Sequence, residues 1–543
     1  MSARNDYVEL RSRSAFSFLR GATPPDKLAK RAAELGLPAM ALSDRDGLYG
    51  APRFFAAARE CGVRPIIGSE LTMECGGVLP VLVESRTGYQ NLCRLITRAR
   101  LRGSKHASAV RWDELAEFAT GLVALTGDEE GPLHRALGDG TAVDSVLQKL
   151  TAAFGGRGVF VEIQRHRVRG ENRVNAQLTA LASAHKLPLL ATNGVLYDTP
   201  ANREVLDVFT CIREHTHLDA AGRLLARNNR RALLDGHAMS ELFRDLPDAI
   251  TNTARLAERL EFSLENLDYK FPDYPLPDGA SADDFLRRET LAGARRRYGR
   301  LSRRVARQLR HELDLIGRLG FAGYFLIVWD IVNFCRAENI MVQGRGSAAN
   351  SAVCYCLGIT AVDAVKSELL FERFLSEGRK SWPDIDLDLP SGDRRERVIQ
   401  EVYRRYGKNG AAMTANVITY RGRSAMREIG KALNFPADIM ERFSSLFANG
   451  DFPHTLDLQA QMEMAGLPRE HGRASHFASL YARIHGLPRH LGQHSGGMII
   501  AQGRLDSVMH WRMPPCPAAS SRSGTRTTAK TSASSRSISS GSA

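Results

Sequence analysis

The chain has 543 residues, 43% of them hydrophobic and 25% charged, which is ordinary for a globular protein with several domains. A formal net charge of +14 favours a polyanionic partner, although a solvated basic surface has the same composition. No run of 18 apolar residues is present, and the first residues lack the apolar core of a secretory signal, so we expect no membrane segment. The eight cysteines are scattered, which predicts reduced thiols in a cytoplasmic protein.

Short apolar runs alternate with helical stretches over residues 1–200, and this alternation predicts an α/β domain, either a barrel or a layered parallel sheet. The functional groups of such folds lie at the carboxyl ends of strands, where Ser43, Asp44, Glu70 and Asn193 fall. The predicted strands are 37–44, 63–73, 78–85, 122–128, 158–163 and 187–194.

The composition then changes several times along the chain. Residues 264–285 are rich in Pro and Asp and are typical of a linker. An Arg-rich helical stretch to about 318, a mixed segment to about 432 and a helical segment to about 490 follow. No acidic residue occurs after Asp506, and the Ser/Thr-rich remainder is typical of a disordered tail.

A glycine-serine loop is the first candidate site of the mixed segment. Gly344, Gly346 and Ser347 precede small residues that we expect to form a helix from Ala348. Glycines let backbone amides converge on an anion, and a helix N-terminus adds a positive dipole end, so phosphate is expected here beside Arg345. A plain glycine turn before a helix is the alternative.

Three carboxylates follow about forty residues later. Side chains alternate along a strand, so Asp384, Asp386 and Asp388 share one face and can hold a hard divalent cation such as Mg²⁺. An exposed acidic edge strand is the alternative. The position of the carboxylates after a phosphate loop, with Arg373 and Arg379 between, favours two-metal phosphoryl transfer.

Two segments near the N-terminus, 9–21 and 41–50, resemble the opening motifs of the PHP phosphoesterase domain. The family places metal ligands where this sequence has arginine. Those arginines are Arg11, Arg13, Arg20 and Arg45.

Arginine has no lone pair to donate, and a metal-dependent phosphoesterase needs imidazoles and carboxylates. We therefore expect the first domain to bind no metal and to hydrolyse no phosphoester. Asp44 and Glu70 remain, and we expect them to pair with Arg11, Arg13 or Arg45 as salt-bridged relics of the site.

The order of glycine-serine loop, segment 370–375 and segment 383–388 resembles the palm of the bacterial replicative polymerase alpha subunits, and details elsewhere resemble their error-prone branch. The resemblance implies a multidomain α/β protein with a PHP-like α/β barrel, a polymerase-beta-like nucleotidyltransferase palm and a helical thumb. The implied boundaries are 1–270 for the PHP-like domain, 271–432 for the palm, 433–510 for the thumb and 511–543 for an aberrant tail.

The resemblance implies error-prone, translesion DNA-directed DNA synthesis, with Mg²⁺ held by Asp384 and Asp386. Its implied partners are primer-template DNA, dNTPs, a sliding clamp and accessory mutagenesis factors, with no membrane. The implied nucleotide- and phosphate-binding residues are Gly344, Arg345, Gly346, Ser347, Arg373, Arg379, Arg421 and Arg423.

The family's third carboxylate is not found where the resemblance implies it. A frame-shift near His510 explains the change of composition, since an alternative reading of the tail permits a strand like the family's third-carboxylate segment. We therefore expect a truncated, impaired polymerase. A non-catalytic DNA-binding remnant is one alternative, and a PHP-type phosphoesterase or exonuclease is another that the arginines disfavour.

Overall fold

The computed structural model describes residues 7–103, 108–140, 143–265, 267, 271–277, 279–378, 383–446, 466 and 472–510. Its contacts divide the chain into two units. Of the described residues, the first unit contains those up to Leu267, Ala415–Ser495 and 506–510. The second unit contains those of Asp268–Thr414 and Gly496–Leu505. The predicted tail and Arg379 lie outside the described residues.

The first unit begins with alternating helices and strands. In chain order these are α1 (Pro25–Glu34), β1 (Ala39–Arg45), α2 (Ala51–Glu60), β2 (Arg64–Thr72), β3 (Val78–Val83), α3 (Arg86–Arg102), α4 (Trp112–Phe118), β4 (Leu122–Leu125), α5 (Pro132–Asp139), α6 (Val143–Phe154), β5 (Val159–Ile163), α7 (Glu171–Ala184) and β6 (Leu189–Ala191). Helices α8 (Arg203–Arg213), α9 (Leu218–Ala221), α10 (Gly236–Leu242) and α11 (Pro247–Arg259) follow. All six predicted strands are confirmed.

The six strands form one sheet in chain order, but the pairing is mixed. Strand β3 runs antiparallel to both β2 and β4, whereas the other neighbours are parallel. Of the two expected arrangements, the layered parallel sheet is therefore wrong, because the connection from Thr72 to Val78 is too short for a parallel crossover. Bridges from Glu9 to Met40 and from Ser12 to Val195 continue the pairing from one edge to the other and close it into a ring.

The strands are apolar runs that are buried on both faces, as in sheets covered by helices. Every residue of Val78–Val83 is buried, for example. Local signals set the helix starts. Ser85 caps α3 by accepting from the Gly88 amide, and Pro25, Pro132 and Pro247 occupy first positions, where no amide donor is needed.

The second unit is mainly helical. Its elements are α12 (Ala282–Tyr298), α13 (Arg303–Arg318), α14 (Ala322–Ala337), β7 (Gln343–Arg345), α15 (Ala352–Leu357), β8 (Asp386–Asp388) and α16 (Asp393–Gly410). Helices α12 to α15 share a core that includes Leu286, Leu309, Phe325 and Val353. The described part of the predicted linker has no regular structure before α12 begins. Among the described residues no single helix is long and apolar enough to cross a membrane. Helices α13 and α14 reach that length and composition only when taken together, and the pair is bent by 114°.

The remaining elements are β9 (Ala411–Thr419), α17 (Gly422–Ala432), α18 (Ala437–Leu446), α19 (Ala474–Ile484) and β10 (Pro488–Ile500). Strands β9 and β10 pair with each other. Helices α17 to α19 share an apolar core with α8, in which the Tyr420 ring stacks on Phe209 at 5.8 Å. The thumb at 433–510 and the other implied domain boundaries remain predictions.

Candidate functional site

The candidate transfer site lies on the two-stranded ladder of the second unit. Strands β7 and β8 are antiparallel, and Arg345 is the register partner of Asp386. Ile385 and Leu387 pack against the core, whereas Asp384, Asp386 and Asp388 are exposed. The prediction that these carboxylates share a face is confirmed. The hydroxyl of partly buried Tyr324 accepts a hydrogen bond from the Ile385 amide at 3.1 Å, which fixes the backbone between Asp384 and Asp386.

The glycine turn meets the carboxylates directly. Gly346 has a φ of +67°, which favours glycine, and a Cβ built there would lie 3.7 Å from the Asp386 Oδ2. The Ser347 hydroxyl donates to the Asp384 carbonyl oxygen at 3.2 Å. Packing against Ile359, and not phosphate binding, explains why glycine is required at position 344. The Gly344 amide donates to the Ile359 carbonyl at 2.7 Å, and a Cβ would stand 2.6 Å from that oxygen. Its part in phosphate binding stays a prediction.

Arg345 and its carboxylate partners are open to solvent. Its Nε lies 3.1 Å from the Asp388 Oδ1 and 4.0 Å from the Asp386 Oδ2, with 64% of the arginine and 57% of each carboxylate side chain exposed. Exposed ion pairs contribute about 0–1 kcal/mol, so a cation or a phosphate can displace either partner at little cost.

The helix after the glycine turn differs from the expectation. Residues Gly346–Asn350 form a 3₁₀ turn, and α15 begins only at Ala352. The buried Glu312 carboxylate accepts from the Ala352 and Val353 amides at 2.9 and 3.0 Å and from the Ser351 hydroxyl at 2.7 Å. The expected helix start at Ala348 is wrong, and the Glu312 carboxylate already occupies the N-terminus of α15. Phosphate binding by the glycine turn itself stays a prediction. Burial raises the pKa of Glu312.

The other predicted nucleotide contacts are arginines. Arg373 is exposed and ends the turn Phe371–Arg373, which contacts the turn Gly346–Asn350. Arg421 and Arg423 are exposed at the start of α17 in the first unit. The structure thus brings Arg345, Gly346 and Ser347 together with the aspartates.

The metal-ligand positions of the PHP-like domain hold a buried network of ion pairs. Glu70 is its centre, with oxygens 3.0 Å from the Arg11 Nε, 2.6 Å from the Arg13 Nε and 3.1 Å from the Arg45 Nε. Burial alone would raise the pKa of Glu70, but the guanidinium groups of Arg13, Arg11 and Arg45 hold it below its usual value. The predicted pairing of Glu70 with these arginines is confirmed.

Asp44 takes a different role. Its carboxylate accepts from the Ser14 amide and hydroxyl at 2.7–2.9 Å and from the Ser17 hydroxyl at 2.7 Å. Within the part of the chain that the structure describes, Asp44 forms no ion pair, so its predicted pairing with arginine is wrong. Burial raises its pKa to about 6, because hydroxyl and amide donors compensate only part of the lost hydration.

Sequence reasoning missed the remaining carboxylates of this network. Arg11 also reaches Asp128 at 3.0 Å and Glu162 at 3.1 Å, and Glu130 binds the guanidinium groups of Arg13 and Arg45 at 2.6 and 2.7 Å. Burial opposes ionisation of Glu130, yet the two guanidinium groups lower its pKa to about 2. Asp128 and Glu162 lie after β4 and in β5, so the strand-end rule that selected Glu70 would also have selected them.

These donors do not fit a metal. Guanidinium groups occupy the carboxylate oxygens, and cations in the ligand positions repel another cation. Among the described residues, no three His, Cys, Asp or Glu side chains are grouped so as to hold a metal ion.

Comparisons with known proteins match both regions. The model of the bacterial DNA polymerase III alpha NTPase domain matches residues 284–528, and the PHP domain model matches residues 9–166. The error-prone DNA polymerase of Mycolicibacterium paratuberculosis is 41% identical over 94% of this chain and 48% of its own length. The error-prone DNA polymerase of Mycobacterium bovis is 41% identical over 92% of this chain and 46% of its own length.

A solved structure from Bifidobacterium adolescentis, described as a metal-dependent phosphoesterase, is 15% identical to this chain, with a TM-score of 0.27. The match covers 34% of this chain and 86% of that one. The chain spans about half the length of the curated relatives it matches. Along more than nine-tenths of its own length the chain is thus homologous to bacterial error-prone DNA polymerases, and its two matched regions correspond to a PHP domain and a bacterial DNA polymerase III alpha domain.

Proposed function

We propose that the exposed ladder of the second unit is the nucleotidyl-transfer site of a DNA-directed DNA polymerase of the error-prone, translesion type. The observation that carries the proposal is the position of the glycine turn against the aspartates: the Ser347 hydroxyl donates to the Asp384 carbonyl oxygen, and Arg345 before the turn lies beside the carboxylates of Asp386 and Asp388. In this reaction the primer 3′-hydroxyl oxygen forms a bond to the α-phosphorus of a dNTP, and the bond to the leaving pyrophosphate breaks.

Asp384 and Asp386 would hold Mg²⁺, which accepts oxygen ligands and supplies charge neutralisation at the reacting phosphate. The side chains fit this role because both are solvent-exposed and on one face. Arg345 would leave Asp388 and donate to the triphosphate, because one guanidinium group can donate two parallel hydrogen bonds to phosphate oxygens. Gly346 and Ser347 would hold the triphosphate at close range, and Arg373 would contribute a further cation. Nucleotide contacts by Arg379, Arg421 and Arg423 remain predictions of the family resemblance.

Primer-template DNA and dNTPs are the proposed substrates, and a sliding clamp and accessory mutagenesis factors the proposed partners. The cytoplasmic location remains a prediction. We also infer that this chain extends primers weakly, because the third carboxylate of the family resemblance is not found before the altered tail. A PHP-type phosphoesterase is disfavoured by the guanidinium groups that fill the metal-ligand positions.

The test is Mg²⁺-dependent binding of a dNTP to the full chain with primer-template DNA, together with primer extension. Asp384→Asn and Asp386→Asn should each remove the Mg²⁺-dependent part of the affinity and any extension. Asp314→Asn is the matched control, since Asp314 is a half-exposed carboxylate of α13 paired with Arg287. Unchanged Mg²⁺-dependent affinity in both site variants would contradict the proposal, and DNA binding without any dNTP binding would favour the non-catalytic alternative.

A further inference from the structure

A cavity of about 740 Å³ opens beside the buried ion-pair network of the first unit. It is lined by the ends of β4 and β5, the start of α7, and residues between α9 and α10. Cavities of this size hold small ligands, and this one lies where the PHP resemblance implies a metal centre. The transfer site of the second unit contributes none of its lining residues.

Most carboxylates of the cavity wall are paired with guanidinium groups of the protein, whereas Glu171 accepts hydrogen bonds from the His166 and Arg167 amides. Asp128 pairs with Arg11 and Arg231, Glu130 pairs with Arg13, and Glu129 pairs with Arg231. A wall of unpaired carboxylates would repel an anion, but here each of these negative charges already has a guanidinium partner at 3.1 Å or less.

Five further arginines line the same cavity, and they differ from those of the network. Within the described residues they have no hydrogen bond or ion pair to a carboxylate. These cavity arginines are Arg20, Arg169, Arg173, Arg223 and Arg227.

Arg20 is the most telling of the five, because it is half-buried and surrounded by cations. Burial and the neighbouring guanidinium groups of Arg45 and Arg213 lower its pKa. A desolvated guanidinium without a partner is costly, and an anion bound beside it would remove that cost. The other four are exposed and reach the cavity from two separate segments, 169–173 and 223–227.

We propose that this cavity is a metal-independent binding site for a phosphate-bearing ligand, held by the cavity arginines. The guanidinium fork matches the oxygens of a phosphate, and several cations from separate segments suit an anion with more than one charge. Arginine neither accepts a proton nor holds a metal ion, so the cavity arginines bind the ligand without taking part in its cleavage. Pyrophosphate and the phosphorylated end of a nucleic-acid strand share this chemistry.

The experiment measures binding of pyrophosphate and of a 5′-phosphorylated trinucleotide to the full 543-residue chain, by calorimetry with EDTA present. Binding in EDTA that weakens with added salt is expected for at least one of the two ligands, with no product released. Tighter binding of pyrophosphate would identify a free polyphosphate as the ligand, and tighter binding of the trinucleotide would identify a strand end.

Arg20→Gln should weaken binding about tenfold or more, the loss of a hydrogen bond between charged groups. Arg223→Gln with Arg227→Gln is the second variant, and because both side chains are exposed the fold should be kept. Arg98→Gln, at a surface arginine paired with Glu117 outside the cavity, should bind as the unaltered chain does.

The proposal fails if neither ligand binds in EDTA, if binding requires a divalent cation, or if the cavity variants bind as well as the control. Equal affinity for a short glutamate peptide would overturn the assignment to phosphate. Asp386→Asn separates this proposal from the preceding one, because it should leave binding in EDTA unchanged whatever it does to dNTP binding.

Discussion

Arginines meet carboxylates in both units, but their environments are opposite. Arg11 is 1% exposed and Glu70 fully buried, whereas Arg345 is 64% and Asp386 57% exposed. In the buried network of the first unit Glu70 depends on guanidinium groups, because no water is there to replace them. In the second unit water screens the same kind of pair, so its partners can be exchanged for a cation or a phosphate. Burial therefore decides which cluster is structural and which can bind a ligand.

Removing the central carboxylate of the buried network gives the largest expected effect. Glu70→Gln leaves Arg11, Arg13 and Arg45 without a shared counter-charge, and breaking a buried pair costs about 3–5 kcal/mol of unfolding free energy. Urea denaturation measures it. The matched variant Asp386→Asn should change the unfolding free energy by less than about 0.5 kcal/mol. Similar losses in the two variants would refute the contrast between the units.

The second prediction concerns pH and Asp44. Its pKa is about 6 in the folded chain against an ordinary 3.8, so folding favours its protonated form. The stability that this contributes is full below the ordinary pKa and is lost as the pH rises towards 6, by about 3 kcal/mol. Unfolding measured from pH 4 to pH 7 should therefore show the unaltered chain losing stability relative to Asp44→Asn.

Glu130→Gln tests the opposite sign in the same unit. Guanidinium groups lower the pKa of Glu130 to about 2, so its stabilisation is full above the ordinary pKa of 4.5 and is lost as the pH falls towards 2. The unaltered chain should lose stability relative to Glu130→Gln on acidification. If the stability of the unaltered chain changed with pH in the same direction relative to Asp44→Asn and to Glu130→Gln, hydroxyl donors and guanidinium groups would not shift the two pKa values in opposite directions.

Glu312 differs from the exposed aspartates of the second unit, since it is a buried carboxylate that has no arginine partner among the described residues. It accepts from the Ala352 and Val353 amides and the Ser351 hydroxyl. Glu312→Ala should lower the unfolding free energy by about 1–3 kcal/mol, because three buried donors lose their acceptor. Chemical denaturation of this variant beside Glu372→Ala, at an exposed glutamate, measures the effect. Equal stability of the two variants would contradict the capping role.

The strands were predictable because their signal is local: a run such as Val78–Val83 is apolar throughout. The antiparallel pairing of β2 with β3 was predictable in principle from their short connection. The pairing of Arg11 with Asp128 and Glu162 was not, since these carboxylates are more than a hundred residues away along the chain and only the sheet brings them together.

The candidate transfer site divides in the same way. Alternation along 384–388 gave the shared face of the aspartates, whereas the start of α15 depended on Glu312, a long-range partner that no local pattern contains. Asp44 was misjudged because the sequence offered charged partners and did not reveal that Ser14 and Ser17 lie closer.

Arg345→Gln, the last prediction, has a small expected effect on stability and tests the exposed ion pairs of the second unit directly against the buried network of the first. Its ion pairs with Asp386 and Asp388 are exposed, so their loss should change the unfolding free energy by about 0–1 kcal/mol. Arg45→Gln removes the same charge from the buried network, leaves Glu70 and Glu130 short of a donor, and should cost several times more. Binding should show the reverse order. Arg345→Gln should weaken Mg²⁺-dependent dNTP binding about tenfold, the loss of one charge-assisted contact, while Arg45→Gln, measured below its melting temperature, should not. If Arg345→Gln bound dNTP normally, its guanidinium would serve only the surface pair with Asp388, and the ladder would be an acidic edge strand.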